Sequence, residues 1–278
     1  MTRDRAKGWQ HAKLSGHQNE VAVQALFLDE QYCNDFSKRL GIKQIVNAST
    51  GGLHEHNVNS VMGKTTKSKT DLVLQLEDNS TINISIKKSY GGQVYLIGVD
   101  AFIDGFEAHF GESIPNGVKE SLYLYFYRHP NIEQLLKDAN LNNGLADSVQ
   151  RYQSRKKRLT WNTLVKYSKA DAEMFLQWIK DNIDKIAEFC FARGLAKDRE
   201  NWADYVWYIN TIGESDFDCI FRISDIKRAV KYYVNSIMPG RTLGGSTILL
   251  PFGFVQWHQQ KMQFHHSFEK LLQIVPHV

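Results

Sequence analysis

The chain has 278 residues, 42% hydrophobic and 23% charged, an ordinary globular composition that can bury one large core or two modest ones. Its formal charge of +4 and pI near 8.8 suit a polyanionic partner. Cys33, Cys190 and Cys219 are odd in number, widely spaced and without a C-x-x-C pair, which argues against a disulfide frame or structural zinc and for a reducing compartment. Residues 1–14 are basic but lack the apolar segment of a secretory signal, and no apolar run is long enough to span a bilayer. A cytoplasmic protein without membrane contact is the expectation.

Residues 16–20, GHQNE, lead into VAVQALFLDEQY, where Val21, Ala22, Ala25, Leu26 and Leu28 mark one face of a helix. Glu20 falls in its first turn, where the macrodipole alone would favour a carboxylate. Residues 49–60 have loop composition. His54 and His56 within them would share a face in a strand, as a metal clip needs, but no third ligand has a helpful spacing, and a polar loop is the competing reading. Lys64, Lys67 and Lys69 follow, either neutralising phosphates or forming a solvated loop.

Residues 69–88, KTDLVLQLEDNSTINISIKK, carry the clearest pattern and read as a hairpin. Leu72, Leu74 and Leu76 alternate with Val73, Gln75 and Glu77, a period of two with one buried face. Residues 77–80 have short polar side chains that bond their own backbone in turns. Ile82, Ile84 and Ile86 then resume the alternation and throw Asn83, Ser85 and Lys87 onto the opposite face. A carboxylate at Asp71, a hydroxyl and an ammonium thus converge.

Beyond the hairpin, residues 93–99 offer a short strand and residues 99–103 begin a helix. SLYLYFYR, residues 121–128, mixes two periodicities; its aromatics read as core under the hairpin's sheet, or as a platform for bases. Arg151, Arg155, Lys156, Lys157 and Arg158 form the strongest basic cluster, with Trp161 beside it: a clamp for duplex backbone, or an exposed linker. Ser168 to Asp171 resembles a capping box opening an amphipathic helix whose buried stripe runs from Phe175 to Cys190, with Gly194 as the stop. Residues 202–209 and 217–223 read as strands, and residues 225–234 as a helix. TILLPFGFVQW is strand-like and leads to HQQKMQFH, whose amide, cationic and imidazole groups suit reading base edges.

Asp71 followed by Ser85-Ile86-Lys87 resembles the PD-(D/E)XK nuclease signature, with Thr70 in place of the proline and Ser85 in place of the second acid. Some type II restriction endonucleases of this superfamily carry Asn, Gln or Ser there. The G-x-x-N-E run at Gly16 to Glu20, a basic run, Arg193-Gly194, Trp202 with Asp204, and a terminal M-Q-F-basic segment after a Gly-rich strand are similar in order to the MspI-like enzymes, which cut short GC-containing sites.

That resemblance implies a restriction-endonuclease-like α+β fold, a mixed central β-sheet flanked by helices, with a catalytic domain at 1–150 and a DNA-recognition region at 151–278 containing a C-terminal reading sheet. It implies a Mg2+-dependent, sequence-specific nuclease acting on double-stranded DNA as monomer or homodimer, with a cognate DNA methyltransferase in the same restriction-modification system. Asp71, Ser85, Lys87 and Glu20 are then the catalytic candidates, and Asp71, Glu20 and the main-chain carbonyl of Ile86 the metal ligands. DNA contacts fall to Lys88, Arg155, Lys156, Lys157, Arg158, Arg241, Gln260, Lys261, Gln263 and His265. The loss of one acid at Ser85 leaves two alternatives, an inactive DNA-binding module on a nuclease fold and a repair nuclease.

Overall fold

The computed structural model describes residues 5–51, 57–126, 131–138, 140, 159–213, 217–240 and 246–278. The chain alternates between two compact units, the first drawn from residues 1–90, 191–226 and 275–278, the second from 91–190 and 227–274. The boundary expected at residue 150 lies outside the described residues. The units themselves are interleaved, because strands distant in sequence pair with one another.

The first unit begins with α1 (Arg5–Leu26), α2 (Glu30–Leu40), β1 (Ile45–Thr50), β2 (Asn57–Asn59), β3 (Thr65–Lys67), β4 (Leu72–Leu76) and β5 (Thr81–Lys87). The second opens with β6 (Gly91–Ile97), α3 (Val99–Phe110), α4 (Asn116–Phe126), α5 (Ile132–Asp138), α6 (Trp161–Tyr167), α7 (Lys169–Asp181) and α8 (Ile183–Glu188). The chain returns to the first for β7 (Tyr205–Ile209) and β8 (Asp218–Arg222), and α9 (Ile223–Tyr232) leads back out. The second unit closes with β9 (Met238–Pro239), β10 (Thr247–Leu250), β11 (Gly253–His258), β12 (Lys261–Ser267) and α10 (Phe268–Ile274). The architecture is α+β. One mixed sheet runs β1-β4-β5-β7-β8 with β5 and β7 parallel, and an antiparallel sheet near the C-terminus runs β6-β12-β11-β10-β9.

The expected hairpin is β4–β5. Its turn is made by Asn79 in the left-handed region at φ 65°, with Asp78 Oδ1 accepting from Ser80 N. Leu72, Leu74, Ile84 and Ile86 are buried on one face against Val23, Phe36 and Leu40 of the two helices and Phe27 of the turn between them, with Trp207 of β7 completing the core. Each such side chain contributes about 1.5–3 kcal/mol on burial. A slip by one residue would exchange that row for Val73 and Gln75, so the register is strongly specified. The N-terminal helix is shorter than its stripe suggests. Asp29 accepts from Gln31 N and Tyr32 N as the cap of a new helix, and Leu28, expected in the buried stripe, is 89% exposed.

In the second unit, the described part of SLYLYFYR, residues 121–126, belongs to α4. Tyr125 and Phe126 are core of the second unit: both pack on Phe175 of α7, and Tyr125 Oη donates to Thr247 O of β10. A helix buried nearly all round has no clean period, which explains the ambiguous pattern. Residues 93–97 form strand as expected, paired with β12. TILLPFGFVQW is two strands rather than one, because Pro251 and Phe252 turn the chain. Gly253 must be glycine here, since a Cβ would lie 2.0 Å from His265 O. Ser168 caps α7 as expected, but Asn182 ends that helix at Asp181 by donating to Trp178 O. Gly194 is left-handed at φ 56°. The three cysteines are buried and outside any disulfide, and no helix among the described residues is long and apolar enough to cross a membrane.

Candidate functional site

Asp71 stands immediately before β4, its N–H donating to Ile84 O across the hairpin at 2.9 Å. Gly51 N donates to Asp71 O, and a Cβ at 51 would sit 2.7 Å from Thr70 O, so the end of β1 can press this close only without a side chain. Asp71 Oδ2 accepts from Ser85 Oγ at 3.0 Å and from Ile86 N at 2.7 Å. Lys87 Nζ donates to Ser85 Oγ at 2.6 Å and to Ile86 O at 3.1 Å, and lies 3.8 Å from Asp71 Oδ2. The period-two alternation of β5 does the sorting, sending Ile84 and Ile86 into the core and Ser85 and Lys87 to this face. Ser85, only 2% exposed, accepts from the ammonium and donates to the carboxylate. The hydroxyl where the motif would carry a second acid is therefore a bridge between two charges.

Glu20 belongs to the same electrostatic group. Burial, then repulsion from the Asp71 carboxylate, pushes its pKa up to about 8 against the opposing pull of Lys87. Its carboxylate also lies 3.4 Å from His17 Nδ1. The neighbouring Asn19 fixes the helix that carries it. That side chain, 1% exposed, donates to Ile209 O at 3.0 Å and accepts from Thr211 N at 2.8 Å and Thr211 Oγ1 at 3.1 Å, tying α1 to the end of β7.

Asp71, Glu20 and the Ile86 carbonyl could together supply an all-oxygen donor set, the kind magnesium prefers. The Asp71 Oδ1 atom takes none of the hydrogen bonds that engage Oδ2. Among the described residues no group of three or more His, Cys, Asp or Glu side chains is placed to hold a metal. A set of two carboxylates and a carbonyl fits a cation that keeps most of its waters. The buried Thr70 Oγ1 beside it has no partner among the described residues.

A second polar cluster lies on one face of the antiparallel sheet. Gln256 of β11 donates to Gln263 Oε1 of β12 at 3.0 Å, Gln263 donates to Gln93 Oε1 of β6 at 2.9 Å, and Gln256 Nε2 is 3.2 Å from His265 Nε2. His265 stacks on Phe254 with ring centroids 4.4 Å apart, and burial, then His258, lowers its pKa. The opposite face, with Val94, Val255, Met262 and Phe264, is core. Gln263 and His265, singled out in the sequence, are thus joined in one row. Gln260 lies in the turn before β12, and exposed Lys261 opens that strand. The sequence reading missed Asn19, Gln93 and Gln256. The two glutamines are legible only once the pairing of β12 with both neighbours is known.

Lys88 follows β5 in the first unit and is partly buried. Arg155, Lys156, Lys157, Arg158 and Arg241 lie outside the described residues, as do His54, Glu55 and His56.

Fold and site together define an α+β protein with an acid–hydroxyl–lysine line on a β-hairpin and a partly buried glutamate coupled to it. No protein-family model matches the chain, and no curated protein matches it in sequence. Among solved structures it is similar to the crystal structure of the restriction endonuclease MspI in complex with its cognate DNA. The identity is 14%, the match covers 84% of this chain and 76% of that one, and the TM-score is 0.45.

Proposed function

We propose that this chain is a type II restriction endonuclease, a Mg2+-dependent hydrolase cutting phosphodiester bonds in double-stranded DNA at a short GC-containing site. The observation that carries the reading is the hydrogen-bonded line Lys87–Ser85–Asp71 with Glu20 coupled to it. Three of the residues that the sequence resemblance assigns to catalysis share one hairpin face, and the fourth, Glu20, reaches them electrostatically from α1. Asp71, Glu20 and the Ile86 carbonyl would hold the magnesium ion. Bound there, the cation would polarise the phosphoryl oxygen and lower the pKa of a bound water.

The chain's own groups supply the rest. Lys87, already anchored by Ser85 Oγ and Ile86 O, holds the attacking water and offsets charge developing on the phosphate. Ser85 keeps that ammonium aimed and satisfies one Asp71 oxygen without adding a second negative charge. Base reading is assigned to Gln263 and His265, with Gln256 and Gln93 fixing the amide orientations, and to Gln260 and Lys261 at the strand's start. Lys88 and the clusters 155–158 and Arg241 would contribute phosphate contacts, and a cognate methyltransferase would protect the host's own sites.

Asp71→Ala or Lys87→Ala should lower magnesium-dependent plasmid cleavage by at least a thousandfold while duplex binding stays within a fewfold. A folded variant that loses binding instead would count against these roles. A second reading draws on Ser85 and on the small ligand set: a DNA-binding module without hydrolytic activity. Discrete fragments from the plasmid support the restriction enzyme, smearing a repair nuclease, and binding without product the inactive module.

A further inference from the structure

Between β1 and Asp71 the chain makes a small antiparallel ribbon, β2 with β3, pairing Asn57 with Lys67 and Asn59 with Thr65. Those four residues are exposed on one face, while Val58 and Thr66 on the other are half-buried. Strands of three residues do not hold together alone. This ribbon is fastened to the loop before β7: Val61 N donates to Leu195 O at 3.0 Å, Lys197 N to Asn59 O at 2.8 Å, and Ser68 Oγ to Asn201 O at 3.1 Å. The loop is in turn fastened to β5, where Asn83 Nδ2 donates to Glu200 O at 2.8 Å and Trp202 O at 3.0 Å. Asn83 lies two residues before Ser85 on the same face, so the ribbon is braced from the strand that carries the catalytic candidates.

Nothing about the exposed face serves a core. Lys64, Lys67 and Lys197 are exposed on or beside it, and no carboxylate among the described residues pairs with any of them. Nearby Arg199, by contrast, is paired with Asp204. Four residues of fully extended chain span at most about 14 Å, so Lys67 stands within about four nucleotides of Asp71 along one DNA strand. Lysine suits a phosphate as a flexible point charge.

From this bracing and from three exposed lysines that no carboxylate among the described residues pairs with, we infer that the β2–β3 ribbon grips the DNA backbone beside the scissile bond, Lys64, Lys67 and Lys197 each contacting a phosphate. The inference rests on the DNA-cleaving reading and adds to it the surface that holds the substrate.

The test is binding of the full chain to a fluorescent duplex, without magnesium, over a range of salt concentrations, for the parent and for the triple variant Lys64→Gln, Lys67→Gln, Lys197→Gln. The salt slope should fall by about 0.9 for each lost contact, about 2–3 in all, with equal weakening for duplexes of different sequence. Melting should not change, because the three side chains are exposed. An unchanged slope and affinity would overturn the ribbon's role while leaving the nuclease reading intact. Altered sequence preference at constant slope would overturn the phosphate assignment in favour of base reading by the ribbon. If the parent binds no duplex at all, both readings fall together.

Discussion

Glu20 holds its proton to about pH 8 because burial disfavours its charged form and, after that, the neighbouring Asp71 carboxylate repels it. The unfolded chain releases that proton near pH 4.5, so between these values the folded state binds more protons and its stability falls as pH rises. In the absence of divalent metal, Glu20→Gln should remove this component, leaving the variant relatively more stable at pH 8 than at pH 5. Urea unfolding at both pH values measures it, and parallel profiles for parent and variant would refute the assignment. Asn19→Ala should cost about 2–4 kcal/mol in the same assay, since it strands backbone groups of Ile209 and Thr211 that are otherwise bonded. The sequence exposed Asp71, Ser85 and Lys87 because a strand's period of two forces their side chains together. It could not expose the Asn19 tie, a bond spanning 190 residues that leaves no periodic trace.

Among the elements, the β11–β12 hairpin carries visible strain. Gln259 and Gln260 link His258 to Lys261, both in the left-handed region at φ 50° and 63°. A two-residue turn of this kind prefers Asn-Gly, and a side-chained residue there costs about 1–2 kcal/mol. Replacing the pair by Asn-Gly should therefore raise stability by about 1–2 kcal/mol, read as a higher melting temperature. The same change should weaken discrimination between DNA sequences if Gln260 contacts bases. No rise in melting temperature would mean the turn is relaxed. Hairpin β4–β5 was readable because its short polar turn separates two alternating runs. The β10–β11 hairpin was not, since its turn residues Pro251 and Phe252 are themselves buried and look like continued strand. The aromatic α4 was obscured in a similar way, by being buried on nearly all sides.

On the scale of the whole molecule, the central strand β5 takes its hairpin partner β4 from its own neighbourhood and its parallel partner β7 from beyond most of the second unit. Composition and local pattern cannot report such pairing, so an N-terminal catalytic half and a C-terminal reading half were the natural division on sequence alone. The interleaving makes a firm prediction. A fragment ending at residue 150 lacks β7 and the buried Trp207 and Ile209, and should show no cooperative unfolding transition. A fragment that melts cooperatively would show the hairpin and its two helices to be self-sufficient. The same pairing has a consequence during synthesis. A ribosome will have released Asp71, Ser85 and Lys87 long before it reaches Tyr205, so these three residues wait on an unfinished sheet. A nascent chain built in this order cannot complete the mixed sheet around the hairpin until β7 has been made.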